Sequence, residues 1–114
     1  MKDYADWILD ELDPQKFITK RLYRDSCTVR RGAYLKDLRK VGRDLARTVI
    51  VDNLPENFML QRDNGIAIKS WFNDNQLDTE IIKLQTVLNC LVTMNDVREG
   101  IRSIKGMLTL KNVQ

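Results

Sequence analysis

The chain contains no histidine. That absence removes Ser-His-Asp and Cys-His nucleophilic sites, HExxH zinc sites and every imidazole proton shuttle. Cysteine is nearly absent as well. Cys27 and Cys90 stand far apart in unlike contexts and read as reduced core thiols rather than a disulfide. Two Cys without a His leave no ligand set for structural zinc. No apolar run approaches the roughly 20 residues that cross a bilayer. The first residues are acidic and enter a helical pattern at once, which excludes a signal peptide there. Any catalysis in these residues must use carboxylates, Lys, Arg and a hard cation.

What is present fits one small intracellular domain. A chain of 114 residues falls within a single-domain length, and its 43% apolar share is ordinary for a globular protein. The net charge of +3 hides an asymmetry. Residues 15–48 hold 11 Lys/Arg against 3 Asp/Glu, whereas the remainder carries an acidic excess of five. A basic block can serve nucleic acid, an anionic surface or a phosphorylated substrate, or can be a solvated face. It has no interleaved aromatic platform, so a nucleic-acid partner is not expected.

Tyr4, Ile8 and Leu12 repeat at helical spacing and predict a helix over 3–12, ended by Asp13 and Pro14. Alternation over 17–23 predicts a strand. Arg30, Arg31 and Gly32 form a turn, and 37–45 is a short helical or turn segment broken by Gly42. A strand at 48–51 follows, then one helical turn at 55–60, a turn at 63–65 and a strand at 66–68. Trp71 and Phe72 read as core or loop anchors ahead of a polar loop. Asp78 is the expected N-cap of a helix whose stripe of Ile81, Leu84, Leu88 and Leu91 packs on the core. Asn95 opens a second helix, carried by Val97, Ile101 and Ile104. The order predicts an α/β fold with a mostly parallel sheet.

Thr48, Val49, Ile50 and Val51 form a buried strand that stops on Asp52 and Asn53, with Pro55 close behind. In open α/β sheets, ligands sit beyond the carboxyl ends of parallel strands. An Asp-Asn pair there supplies the hard oxygens that Mg²⁺ prefers. The same pair also makes an ordinary Asx turn.

Three segments read together narrow the choice: Arg21, Leu22, Tyr23, Arg24, Asp25, Ser26 and Cys27; then Tyr34, Leu35, Lys36, Asp37 and Leu38; then Val51, Asp52 and Asn53. With Trp71, Phe72, Asp78, Thr79 and Glu80 in series, the chain resembles the small phosphatases that act on the RNA polymerase II C-terminal domain. Their relatives include Dullard-type phosphatases and a mitochondrial import-translocase subunit, within the haloacid dehalogenase superfamily. The likeness runs over about residues 4–98.

The resemblance implies a partial haloacid-dehalogenase-like (Rossmannoid) three-layer domain over residues 1–106, with its first strand missing and a tail at 107–114. It implies a Mg²⁺-dependent protein serine/threonine phosphatase working through an aspartyl-phosphate. Lys36 matches the phosphate-neutralising Lys, although alone it reads as a surface Lys in a turn. Arg24 matches a position that helps recognise the phosphopeptide, although it could instead pair with Asp25. Asp52 and Asn53 match the metal-site pair. Arg39, Lys40, Arg43 and Arg47 are expected on one solvated face that steers acidic peptides.

One departure from the family pattern is large. The family's DxDx(T/V) motif, with its nucleophilic Asp and its acid/base Asp, occurs nowhere in these residues. Asp3 with Asp6 and Asp10 with Asp13 do not follow a buried strand. The chain is therefore expected to lack its attacking group and to be inactive alone. The alternative is a non-catalytic phosphoprotein- or partner-binding module. An uncovered sheet edge further predicts a homodimer or a complementing chain. The expected compartment is the nucleus or cytoplasm.

Overall fold

The computed structural model describes residues 2–68 and 76–113, with side chains over 2–68 and 79–105. In chain order the elements are α1 (Lys2–Leu12), β1 (Thr28–Arg30), β2 (Ala33–Leu35), β3 (Ile50–Asp52), β4 (Gly65–Ala67), α2 (Gln76–Leu91) and α3 (Val97–Val113). Short 3-10 turns lie at Arg24–Ser26, Leu38–Val41 and Leu45–Arg47, and a kinked 3-10 stretch at Pro55–Asn64. The result is a small α/β structure built from short pieces.

β1 and β2 form an antiparallel hairpin with Thr28 opposite Leu35. Its two-residue loop places Arg31 at φ 51° and Gly32 at φ 79°. Two successive positive φ values match the twist of the strands they join, and Gly adopts one at no steric cost. β3 and β4 pair in parallel, with Ile50 opposite Gly65 and Asp52 opposite Ala67. The expected single, mostly parallel sheet is thus represented by two separate two-stranded sheets of opposite kind.

Successive strand residues face opposite sides, and β3 uses this to join two apolar clusters. Ile50 packs with Leu38 and Phe58, flanked by Val41 and Leu45. Val49, with Ile66 of β4, packs on the other side against Leu91, Val97 and Ile101. Gly65 is buried because Phe58 lies across it, and a Cβ there would overlap the ring. Buried Asn64 closes the seam, its amide donating to Leu45 O at 2.6 Å and Thr48 O at 2.8 Å.

Several expectations are corrected. Residues 17–23 form no strand. The Asp13 carboxylate accepts from Phe17 N at 2.9 Å and Ile18 N at 2.8 Å, and Lys16 takes φ 59°, so the chain is bent before it can pair. The alternation instead sends Arg21 and Tyr23 to α1, where Arg21 meets Asp6 at 3.0 Å and Asp10 at 2.8 Å. Tyr23 also donates to Asp6. α1 buries no residue, and Tyr4, Trp7 and Leu12 stay exposed. Polar contacts hold this helix, not its apolar stripe.

On α2, Ile81 and Leu88 are exposed, while Val87 and Leu91 make the contact. Arg47 donates to the carbonyls of Val92 and Met94 after α2, a common way to satisfy a helix end. Asp96 rather than Asn95 starts α3, accepting from Arg98 N at 3.0 Å. Cys27 and Cys90 are free thiols, but Cys90 is exposed and so is no core residue. The expectations for Trp71 and Phe72 lie outside the described residues.

Two predictions follow from this packing. Tyr23, Arg21 and Lys2 hold the Asp6 carboxyl down to about 2 from a usual 3.8. A depressed carboxyl stabilises the fold above its unfolded value and ceases to do so as pH falls through its folded value. The docking of α1 is therefore expected to weaken between about pH 4 and pH 2, read by NMR at Asp6 and Tyr23. An Asp6 that titrates at the ordinary value would contradict it. Gly65→Ala is expected to destabilise by about 1–3 kcal/mol in urea unfolding, because it overpacks the Phe58 contact. A change within error would show that Phe58 yields freely.

Candidate functional site

Lys36 follows β2 directly, and Asp52 ends β3, so two different sheets deliver the two side chains to one place. Lys36 Nζ lies 2.5 Å from Asp52 Oδ2. The Asp52 side chain is only 3% exposed, whereas that of Lys36 is 49% exposed. The pair is therefore asymmetric: a buried anion holds a cation at the surface. A half-exposed cation remains available to a ligand.

Asn57 fixes both partners. Its carbonyl accepts the Lys36 backbone N–H at 2.7 Å, and its side-chain amide donates to Asp52 Oδ1 at 3.2 Å. Leu54 N donates to the same oxygen at 2.9 Å. Burial pushes the Asp52 carboxyl up, but Lys36, Leu54 N–H and the Asn57 amide outweigh it and leave the group below its usual value. Asp52 is accordingly a firm carboxylate at neutral pH. Nothing in the sequence singled out Asn57, because its role depends on the turn after Pro55 returning beneath β2.

A second set of bonds steadies the same corner. Asp37 caps the turn Leu38–Val41 and is gripped by Arg39, with side-chain bonds of 2.8 to 3.2 Å. Gln61 accepts from Leu38 N at 2.9 Å and donates to Asp37 at 2.9 Å. Arg39 principally, with Gln61 assisting, holds the Asp37 carboxyl well below the usual range. Arg39 is thus consumed locally and Arg47 caps α2. Arg39, Lys40, Arg43 and Arg47 are all exposed, as expected of a solvated set, although Arg39 and Arg47 also have local partners.

Beside the ion pair lies a cleft of about 1140 Å³, lined by Arg24, Ser26, Tyr34, Lys36 and Lys40 among others. Arg24 is in the turn Arg24–Ser26, and its guanidinium sits over the Tyr34 ring, 5.1 Å from the centroid. The structure therefore brings Lys36, Arg24 and Asp52 into one neighbourhood, with Asn53 exposed next to Asp52.

Asp52 and Asn53 supply hard oxygens of the kind that Mg²⁺ takes. No group of three His, Cys, Asp or Glu side chains converges among the described residues. The donor chemistry fits Mg²⁺, but these residues form only part of a shell, which suits an ion that keeps several waters and takes substrate oxygens.

No described helix is long and apolar enough to cross a membrane. The family model for NLI interacting factor-like phosphatases matches residues 1–98. The chain is 50% identical over 99 residues to CTD small phosphatase-like protein 2 of Dictyostelium discoideum, covering 87% of this chain and 17% of that protein. It is 47% identical over 103 residues to CTD small phosphatase-like protein 3 of Caenorhabditis elegans, covering 89% and 36%. It is 41% identical over 99 residues to the human carboxy-terminal domain RNA polymerase II polypeptide A small phosphatase 1, covering 87% and 38%. The chain thus spans well under half the length of these relatives. With 98 of 114 positions inside the family model, the chain belongs to the NLI interacting factor-like phosphatase family.

Proposed function

We propose that these residues form the cation-bearing side of a protein serine/threonine phosphatase site. The observation that carries this reading is the Lys36–Asp52 pair, whose lysine lines the cleft. A phosphate dianion approached by a carboxylate meets charge repulsion, which a fixed positive group must offset. Lys36 is that group, and Asp52, itself held by Asn57 and Leu54 N–H, orients it. The transition state spreads charge over the equatorial oxygens, so a cation fixed beforehand stabilises it with little reorganisation. Arg24 takes the peptide outside the phosphoryl group.

Asp52 and Asn53 would hold Mg²⁺, which when bound supplies a second positive charge to the phosphoryl oxygens. The attacking carboxylate comes from outside these residues, on a DxDx(T/V) strand of a haloacid-dehalogenase-like three-layer domain to which residues 1–106 contribute. That carboxylate displaces the serine or threonine oxygen, taking the phosphoryl group as an aspartyl-phosphate, and water releases phosphate from it. A complementing chain or segment would also cover the open edge of β3. Relatives named for RNA polymerase II support a phosphoprotein substrate and a nuclear or cytoplasmic setting.

A second reading has an observation of its own. The missing motif allows the same cleft to bind phosphoproteins without turnover.

Both readings predict no Mg²⁺-dependent phosphate release from a phosphoserine peptide by these 114 residues alone, followed by a colorimetric phosphate assay. Both also predict that Lys36→Ala weakens binding of that peptide by about tenfold or more, the loss of one charge-assisted bond, measured by calorimetry. Unaltered affinity in Lys36→Ala would remove both readings. Turnover restored by adding a polypeptide that carries the motif would decide for the enzyme.

A further inference from the structure

Four cations line the cleft: Lys2, Arg24, Lys36 and Lys40. Lys2 pairs with Asp6 and Lys36 with Asp52. Arg24 and Lys40 differ, for among the described residues neither meets a carboxylate. Arg24 rests on the neutral face of Tyr34. Lys40 Nζ donates to Ser26 O at 2.9 Å, the last residue of the turn that Arg24 begins. A cation positioned by a ring and a carbonyl retains its charge for a ligand, whereas one in a salt bridge has had it largely offset.

These contacts also arrange the two cations jointly. Lys40, 14 positions along the chain, ties down the turn from which Arg24 projects. Tyr34 lies on β2 directly ahead of Leu35 and Lys36, so the strand that delivers Lys36 also carries the platform under Arg24. Asp25, Asp37 and Glu56 line the cleft too, so its field is not uniformly positive. An anion is held only where Arg24 and Lys40 outweigh them. Sites for drug-sized ligands occupy about 300–1,000 Å³, so the cleft has room for peptide well beyond one phosphoryl group.

We propose that Arg24 on its Tyr34 platform, with Lys40, forms a second anion subsite that takes an acidic or second phosphorylated side chain of the peptide whose phosphoryl group Lys36 receives. The proposal rests on the phosphopeptide reading above and adds a specificity to it. Tyr34 is a positioning residue and Arg24 the contact.

The test compares two probes by calorimetry on the chain: a peptide with one phosphoserine, and the same peptide with a second phosphoserine nearby. The wild type is expected to bind the doubly phosphorylated peptide about tenfold tighter than the singly phosphorylated one, as one further charge-assisted contact provides. Arg24→Met and Tyr34→Leu are expected to abolish that ratio. Tyr34→Phe retains a ring face and should retain the ratio. Equal affinities for the two peptides in the wild type, or a ratio that survives Arg24→Met, would overturn the subsite. Failure of the earlier reading shows instead as unchanged affinity for the singly phosphorylated peptide in Lys36→Ala. Both substituted side chains are exposed, and unchanged urea midpoints will separate a binding effect from unfolding.

Discussion

The bond between Lys36 and Asp52 is the interaction on which the rest of the structure depends. It joins the end of the antiparallel hairpin to the end of the parallel pair, two sheets that share no strand. Burial would make an isolated Asp52 costly, so three donors are gathered around it. One of them, the Asn57 amide, comes from the stretch after Pro55, and that stretch also supplies Phe58 to the core beneath β3 and Gln61 to the Asp37 corner. The segment is short and kinked because it answers to three sets of contacts at once. Its geometry is therefore set by tertiary structure more than by helix propensity.

The same economy explains how a chain with little apolar burial presents a charged cleft. Several cations here pair with a carboxylate of their own: Arg21 with Asp6 and Asp10, Arg39 with Asp37, Arg98 with Asp96, Arg102 with Asp63. These pairs are largely exposed and contribute little stability individually. Each pair offsets positive potential where it stands, whereas in the cleft Lys36 shares its charge with Asp52 and Arg24 and Lys40 meet no carboxylate among the described residues.

The sequence named side chains that the structure brings together more successfully than it named the elements that carry them. Lys36, Arg24 and Asp52 were each identifiable because they sit in runs whose order and spacing resemble a family. The β3 run was also legible from its β-branched residues ending on Asp and Asn. The strand expected at 17–23 failed because alternation does not specify a partner, and the Asp13 turn with the salt bridges to α1 used that segment otherwise. The α2 stripe was assigned one face and uses a neighbouring one, Val87 with Leu91, because only α3 and β4 decide which turn makes contact. Asn57 was invisible for a similar reason, and Tyr34 was visible only as part of the run around Lys36, not as a platform for Arg24. An amide and a ring become functional only through what they face, and both face residues distant in sequence or across the cleft.

The central claim is that Lys36 and Asp52 act as one unit, and a double-mutant cycle tests it most directly. Unfolding free energies would be measured in urea for the wild type, Lys36→Met, Asp52→Asn and the double variant at neutral pH. The half-exposed lysine screens the interaction, so a favourable coupling of about 1 kcal/mol is expected. Strictly additive losses, with coupling indistinguishable from zero, would mean that the two side chains do not depend on each other and that the cation of the cleft is not held as described.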